Sequence, residues 1–285
     1  MIKGYVRAKS VQEALQALIE NRPWGRVLAG GTDLLPKIRP NRYKKAAPLV
    51  LIDIKRIGQL KGITLEDNYL LLGPVTTLSE LAGNELVVNH LPVLAEAARA
   101  VGSPEIRNRG TVGGNLGSKN PGADLLVPLV ALGARVKITT AAGNIEADVQ
   151  ELRSLSGRLG HSALLTGVSV PISPPVRYGY RRWAEKSMGR AYLAALWIVH
   201  DQKGTNRHNV RLVLGGANLW PRVFSNISLD DGAEGAATAV IGALEREMQA
   251  TGGKGFWSVY RRQVARAVIL EACEAFEEST RGIRR

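Results

Sequence analysis

Hydrophobic and polar positions near the start of the chain predict a small α/β unit. Apolar residues recur three and four positions apart, the spacing of one helix face: Val11, Ala14, Leu15, Leu18 and Ile19. Ser10 followed by Glu13 is the signature of a capping box, so we expect the helix to begin there. The short apolar runs 26–29 and 49–52 then predict two buried strands, with a Gly-Gly turn directly after the first.

From residue 57 the pattern changes and predicts a second unit that opens with a hairpin. Segments 62–65 and 69–73 flank the turn sequence Glu66-Asp67-Asn68. Further along, we expect helices beginning at Ser79 and spanning 91–101 and 124–132, and strands spanning 135–140 and 163–171. A proline cluster at positions 171, 174 and 175 then predicts a linker.

Beyond the prolines, the pattern predicts a third unit. Residues 192–200 and 210–214 are expected to form antiparallel strands joined by a turn at 203–206. Amphipathic helices are expected over 236–251 and 256–276. We therefore predict three units, which cover residues 1–57, 58–175 and 176–285.

Composition excludes several classes of protein. The 285 residues are 45% hydrophobic, which is too apolar for a disordered chain. The single cysteine, Cys273, cannot close an internal disulfide or supply a cysteine-based zinc or iron–sulfur site. The four histidines show no metal-ligand spacing either. We expect no metal in this chain, so any electron transfer would need an organic cofactor or a partner's metal.

Charge and hydropathy restrict the possible binding partners and the cellular location of the protein. The net charge of +13 suits an anionic cofactor, an acidic partner, an anionic membrane surface or nucleic acid. The basic residues are spread along the chain rather than interleaved with aromatics on one face, which disfavours nucleic acid. No apolar run approaches the roughly 20 residues of a membrane span. No targeting signal is evident, so we predict a cytoplasmic protein, with the inner face of a membrane as the alternative.

Two glycine segments carry the candidate chemistry. Gly30-Gly31 lies inside the run Ala29 to Asp33, and Gly113-Gly114 lies inside the run Thr111 to Asn115. Consecutive glycines let the backbone adopt positive φ and let an anion approach N–H groups without a Cβ in the way. Neither segment is a Walker loop or a G-x-G-x-x-G fingerprint. As a pair, they predict two N–H nests suited to the two phosphates of a diphosphate.

These segments resemble a known family. The runs AGGTDLLP from residue 29 and IRNRGTVGGNL from residue 106, followed by PGADL from residue 121, are similar to the flavin motifs of molybdenum hydroxylases. The family is the FAD-binding medium subunit of the carbon monoxide dehydrogenase, xanthine dehydrogenase and aldehyde oxidoreductase type. Segments 164–171 and 211–221, and the short run that starts at Ser258, extend the resemblance over nearly the whole chain.

The resemblance implies a fold and a set of cofactor contacts. The fold would be α+β: an FAD-binding domain of vanillyl-alcohol-oxidase type with two α/β subdomains, then a C-terminal domain with a three-stranded antiparallel sheet and helices. The implied FAD contacts are Val27, Leu28, Ala29, Gly30, Gly31, Thr32, Asp33, Leu34, Val101, Thr111, Val112, Gly113, Gly114, Asn115, Asp124, Leu165 and Lys186. Asp124 would lie near the adenosine ribose. One departure is Lys119-Asn120-Pro121, where the family has Ala-Ser-Pro, so Lys119 is expected to face the diphosphate or a partner.

The resemblance also implies a function and partners. The chain would take electrons from a small subunit with two [2Fe–2S] clusters onto FAD and pass them to NAD⁺, a quinone or another acceptor. A large subunit would hold the molybdopterin cofactor, and two such heterotrimers would form the particle. No catalytic acid, base or nucleophile is expected in this chain.

Two other functions stay open at this point. One is a stand-alone FAD-dependent oxidoreductase of the same fold, similar to an enolpyruvylglucosamine reductase. Such an enzyme carries its own catalytic serine, glutamate and substrate domain, which the C-terminal segment does not display. The other is a basic nucleic-acid-binding protein, which the dispersed charge disfavours.

Overall fold

A computed structural model gives the conformation of most of the chain. It describes residues 2–38, 48–160, 162–172, 177–200, 209–217, 219–225, 227, 232–250 and 258–281. The predicted turn at 203–206, residues 39–47, and Pro174 and Pro175 lie outside these residues.

The first unit is a three-stranded parallel sheet covered by a helix. Strands β1 (Ile2–Arg7), β2 (Gly25–Leu28) and β3 (Leu49–Asp53) pair in the order β1-β3-β2. Helix α1 (Val11–Glu20) begins as predicted, with the Ser10 hydroxyl accepting a hydrogen bond from the Glu13 N–H at 3.1 Å. The apolar face of α1 packs into the core of this unit. The sequence did not predict β1, an edge strand that leaves Ile2 and Tyr5 about half exposed.

The second unit is a five-stranded antiparallel sheet packed against short helices. Its strands follow the order β4-β5-β8-β6-β7, and they are β4 (Ile63–Glu66), β5 (Tyr69–Leu72), β6 (Arg135–Thr140), β7 (Gly143–Asp148) and β8 (Ala163–Pro171). The predicted hairpin and both later strands are confirmed, whereas β7 was not predicted. The turn of the hairpin places Asp67 and Asn68 in the left-handed region, with φ of 44° and 65°.

Most of the described helices are short and come, along the chain, between strands of the first two sheets. They are α2 (Leu34–Lys37), α3 (Leu78–Gly83), α4 (Glu85–His90), α5 (Pro92–Arg99), α6 (Pro104–Arg107), α7 (Val112–Gly117), α8 (Leu126–Ala131) and α9 (Leu152–Leu159). Helix α3 begins one residue earlier than predicted because Thr77, rather than Ser79, forms a capping box with Glu80. The second glycine segment, predicted as a loop, forms α7.

The third unit contains an antiparallel sheet, as predicted, but the sheet has four strands instead of three. Its order is β12-β11-β10-β9, from β9 (Arg177–Trp183), β10 (Leu193–His200), β11 (Asn209–Gly216) and β12 (Leu219–Ser225). The additional strand is β9, whose sequence RYGYRRW is too basic to give an apolar strand signal.

The third sheet is buried on both faces, which fixes the units against one another. Leu193, Ala195 and Trp197 of β10 pack on the helices α10 (Gly232–Ala250) and α11 (Val259–Arg281). The alternate residues Ala194 and Leu196 join the core of the second unit. This arrangement explains why β10 reads as a continuous apolar run. Among the described helices, none is long and apolar enough to cross a lipid bilayer.

The predicted limits at residues 57 and 175 fall between the three sheets, whose strands span 2–53, 63–171 and 177–225. Tryptophan hydrogen bonds link the third unit to the second, and β10 to α11 within the third unit. The Trp220 indole N–H donates to the carbonyl of Gln150 at 2.7 Å, and that of Trp197 donates to the carbonyl of Ile269 at 3.0 Å. Cys273, a residue of α11, is fully buried in the core between this helix and the third sheet. The domain limits themselves stay a prediction.

Candidate cofactor site

A cavity of about 650 Å³ lies where the three units meet, a volume in the usual range of small-molecule and cofactor sites. Its walls come from the turn after β2, from α7, from strands β6 and β8 with α9, and from the segment before β10. Because all three units contribute, the site forms only when the whole chain is folded.

The two glycine segments lie directly against each other at this cavity. A Cβ added to Gly30 would stand 2.0 Å from the carbonyl oxygen of Arg109 and 2.9 Å from the Cα of Gly110. Only glycine allows so close an approach of two backbones. Gly31 is required for a second reason, because its φ of 73° lies in the left-handed region.

The first glycine turn offers free hydrogen-bond donors to the cavity. Among the described residues, none accepts a hydrogen bond from the backbone N–H of Gly30, Gly31 or Thr32. All three residues line the cavity. Three successive N–H groups in one turn form a concave donor array suited to a phosphate oxygen. This part of the two-nest prediction agrees with the structure.

The second glycine segment does not form a nest, so that part of the prediction was wrong. Its N–H groups are used within the protein: Val112 donates to Thr76 O at 3.0 Å, Gly113 to Pro74 O at 2.8 Å, and Gly114 to the Thr111 hydroxyl at 3.0 Å. The first two bonds fasten α7 to the segment before α3, and the third caps α7 itself. The segment therefore contributes bare backbone and the Asn115 side chain to the cavity wall rather than an array of donors.

Asp33 is neutralised by two cations at the edge of the cavity. Its carboxylate lies 2.6 Å from Lys37 Nζ, and it also forms an ion pair with Arg190 from the segment before β10. A free carboxylate beside the N–H array would repel a phosphate, whereas this trio carries a net positive charge. The Arg190 contact also joins the third unit to the first glycine turn.

Asp124 is the buried charged group of the site. Its side chain is 4% exposed, and its Oδ1 lies 2.8 Å from Nε of Arg182, a residue of β9. Burial raises the pKa of Asp124 to about 6, although the Arg182 guanidinium beside it acts in the opposite direction. Arg182 also donates to the carbonyl oxygen of Gly189 at 2.6 Å, which fixes the segment that passes along the cavity.

The structure brings most of the predicted cofactor residues together on the cavity wall. Those that line it are Val27, Ala29, Gly30, Gly31, Thr32, Asp33, Leu34, Val101, Thr111, Gly113, Gly114, Asn115, Asp124 and Leu165. Leu28, Val112 and Lys186 do not. Leu28 and Val112 are buried in the cores behind the two glycine segments, and the exposed Lys186 lies on the segment whose later residues, Met188 to Arg190, reach the cavity.

Sequence reasoning missed other residues of the site. Arg190 and Arg182 belong to a stretch with several basic residues, and nothing in the local sequence separates them from the Lys186 that we selected. The apolar part of the wall was also missed; it includes Ile138, Leu152, Leu159, Ala163 and Leu164. These residues come from separate strands and helices, so only the folded sheet brings them together.

The lining fits an elongated nucleotide cofactor with a diphosphate. It combines a donor array beside two cations, a buried carboxylate able to accept hydrogen bonds from hydroxyls, and an apolar wall for flat rings. Fold and cavity together define a dinucleotide-binding protein without a Rossmann fingerprint.

Comparison with known proteins identifies the family. Residues 1–173 match the family described as the FAD binding domain in molybdopterin dehydrogenase. The chain belongs to this family of FAD-binding medium subunits of molybdenum hydroxylases, which confirms the predicted resemblance, the FAD cofactor and the oxidoreductase class.

Two relatives match over nearly their full length. The chain is 30% identical to the 6-hydroxypseudooxynicotine dehydrogenase complex subunit alpha of Paenarthrobacter nicotinovorans, over 93% of this chain and 91% of that protein. It is 29% identical to the carbon monoxide dehydrogenase medium chain of Afipia carboxidovorans, over 96% and 97%. A carbon monoxide dehydrogenase from Hydrogenophaga pseudoflava, described as lacking the Mo-pyranopterin moiety of the molybdenum cofactor, shares the fold, with a TM-score of 0.81 at 24% identity and 98% coverage of both chains.

Proposed function

We propose that this chain is the electron-transfer flavoprotein of a molybdenum hydroxylase complex. In this proposal, it receives electrons from a small subunit with two [2Fe–2S] clusters and passes them to an external acceptor such as NAD⁺ or a quinone. The single observation that carries the proposal is the free N–H array of the first glycine turn, packed against the second glycine segment in a chain of this family.

Different residues of the cavity would bind different parts of FAD. The N–H groups of Gly30, Gly31 and Thr32 would donate to the diphosphate, since nothing described in the protein competes for them. Asp124 would accept a hydrogen bond from a hydroxyl of the sugar or ribityl chain, as its position on the wall allows. We also propose that the other predicted residues on the cavity wall contact FAD.

Bound FAD supplies the redox chemistry, in which electrons are accepted and released by its ring system. The residues of this chain bind and orient the cofactor. The described cavity wall includes no histidine or cysteine, and its ionisable side chains are the basic residues Arg26, Lys37, Lys119 and Arg190 with the paired carboxylates Asp33 and Asp124. This distribution supports a role in binding and electron transfer instead of acid–base catalysis.

The same proposal includes the partner subunits that the family implies. The molybdopterin cofactor would be held by a large subunit and the iron–sulfur clusters by a small one, with two heterotrimers in the particle. Two of the relatives are named as a medium chain and as a subunit of a dehydrogenase complex, which supports a subunit over a stand-alone enzyme. A cytoplasmic location stays a prediction.

We expect the iron–sulfur clusters of the assembled complex to be reoxidised through this chain. The complex, reduced anaerobically with dithionite, would be mixed with NAD⁺ or with a soluble quinone in a stopped-flow spectrometer, with and without its FAD. The clusters should regain their oxidised absorbance rapidly with one of these acceptors only when FAD is present. Equal reoxidation rates in the FAD-depleted complex would contradict an electron-transfer role for this chain.

A stand-alone flavoenzyme predicts a different outcome. The isolated chain with FAD would then turn over a substrate and be reduced by it without any partner. Copurification with a large molybdenum-containing chain and a small iron–sulfur chain distinguishes the two functions.

A further inference from the structure

Lys119 occupies a backbone conformation that favours glycine. It follows the C-terminal end of α7, and its φ of 56° lies in the left-handed region. Residues just after a helix commonly adopt this conformation, and glycine is the usual choice because a Cβ is disfavoured there. A lysine at this position therefore costs conformational energy that glycine would avoid.

The side chain of Lys119 extends over the cavity. Lys119, just after α7, and Ser156, in α9, both line the cavity. Lys119 Nζ lies 3.4 Å from the carbonyl oxygen of Ser156, a distance longer than the usual N–H···O hydrogen bond. The lysine side chain thus spans the space between two walls, and the protein holds its ammonium group only weakly.

Among the described residues, the other cations of the wall have stronger partners. Lys37 and Arg190 are both paired with Asp33. Arg26 donates to the carbonyl oxygens of Pro23 and Gly25 at 2.7 and 2.8 Å. Lys119 has no carboxylate within ion-pair distance in the part of the chain that the structure describes.

We propose that Lys119 is a binding residue for the diphosphate of FAD and that this charge is why a lysine occupies a glycine-favouring position. The inference rests on the proposed cofactor site. At neutral pH the diphosphate is the anionic part of FAD, because its oxidised ring system, sugar, ribityl chain and adenine are uncharged. The weakly held ammonium group would leave the Ser156 carbonyl and donate to a phosphate oxygen.

The test compares Lys119→Gly with wild type in the full-length chain. Dissociation constants for FAD and for riboflavin, which has no phosphate, would be measured by fluorescence titration at low and high salt. We expect Lys119→Gly to weaken FAD binding about tenfold, the size of one hydrogen bond to a charged group at a partly exposed site. Riboflavin affinity should not change, and the salt dependence of FAD binding should become shallower.

Two further variants make the result specific. Lys119→Arg keeps the charge and should restore most of the FAD affinity. Asn68→Gly is the matched control, because Asn68 is also left-handed, with φ of 65°, but lies in the turn between β4 and β5. It should leave FAD binding unchanged. The melting temperature of FAD-free Lys119→Gly should equal or exceed that of wild type, since the strained position is relieved.

Several outcomes would overturn the inference: an FAD dissociation constant within twofold of wild type, an equal loss for riboflavin, or a melting temperature lowered by several degrees. The last result would show that Lys119 is structural. Failure of wild type to bind FAD at all would instead contradict the proposed function, so the two failures are distinguishable.

Discussion

Gly30→Ala is expected to abolish FAD retention and to destabilise the protein by about 3 kcal/mol, the upper range for overpacking a close contact. The new Cβ would stand 2.0 Å from the carbonyl oxygen of Arg109 and 2.7 Å from its carbonyl carbon. Both are backbone atoms, so neither can rotate away. The two glycine segments would have to separate, and the N–H array of the first turn would lose its position.

Thermal unfolding and flavin content measure this effect together. We expect a melting temperature at least about 6 °C below wild type and a colourless purified protein. Gly83→Ala is the matched control, because its Cβ would meet no atom within 4 Å at the end of α3. A Gly30→Ala protein with normal flavin content and melting temperature would show that the two segments do not pack as described.

Arg182→Met is expected to cost about 3 kcal/mol at pH 8, because it leaves the buried carboxylate of Asp124 without its counter-charge. The residue pair is well shielded from water, with side-chain exposures of 13% for Arg182 and 4% for Asp124. The variant also loses the donor to the carbonyl of Gly189. The segment along the cavity should therefore loosen, and FAD should dissociate faster.

The loss of unfolding free energy in Arg182→Met should depend on pH in a specific direction. The pKa of Asp124 in the folded protein is about 6, above the ordinary value of 3.8, so folding already favours its protonated form. Removing Arg182 raises this pKa further, because a stabilising positive charge is lost. The folded variant then binds more protons than wild type around pH 6 to 8, so its deficit in unfolding free energy grows as pH rises.

Urea unfolding of the FAD-free variants at pH 5 and pH 8 tests whether the loss of unfolding free energy grows with pH. We expect a small difference from wild type at pH 5 and a large one at pH 8. The double variant Asp124→Asn with Arg182→Met should recover much of the loss at pH 8, because no buried charge is left. Equal losses at both pH values, or no recovery in the double variant, would show that the ion pair is not the cause.

Local signals in the sequence predicted much of the fold correctly. The cap at Ser10, the hairpin and the long apolar run of β10 are all strong local patterns, and the structure confirms them. Strands β1 and β9 lack such signals, since one is a half-exposed edge strand and the other is rich in arginine. Their strand conformation comes from pairing with β3 and β10, which the local sequence does not encode.

The site was predictable in its parts but not in its assembly. Each Gly-Gly pair indicated a turn, yet the contact between Gly30 and Arg109 joins residues far apart in the chain. The glycines of α7 make a poor helix by propensity, so the sequence indicated a loop. Tertiary hydrogen bonds to Thr76 and Pro74 hold the helix in place and consume the N–H groups that we expected to be free.

The resemblance added what local patterns lacked, namely the identity of the cofactor and a set of residues that would contact it. Of the contacts that it implied, Leu28, Val112 and Lys186 do not line the cavity, and Lys186 lies on the basic segment between β9 and β10. There the selected Lys186 lies off the cavity, while Arg190 reaches it and Arg182 pairs with Asp124. Charge alone did not distinguish these residues, because their roles depend on which way each side chain leaves the strand or loop.

The flavin content of the purified full-length chain tests the central claim most directly. The protein would be incubated with excess FAD, freed of unbound flavin, and denatured, and the released flavin identified by chromatography and quantified against protein. The account predicts one FAD per chain. A chain that retains no flavin after this treatment, although folded by its circular dichroism, would contradict it.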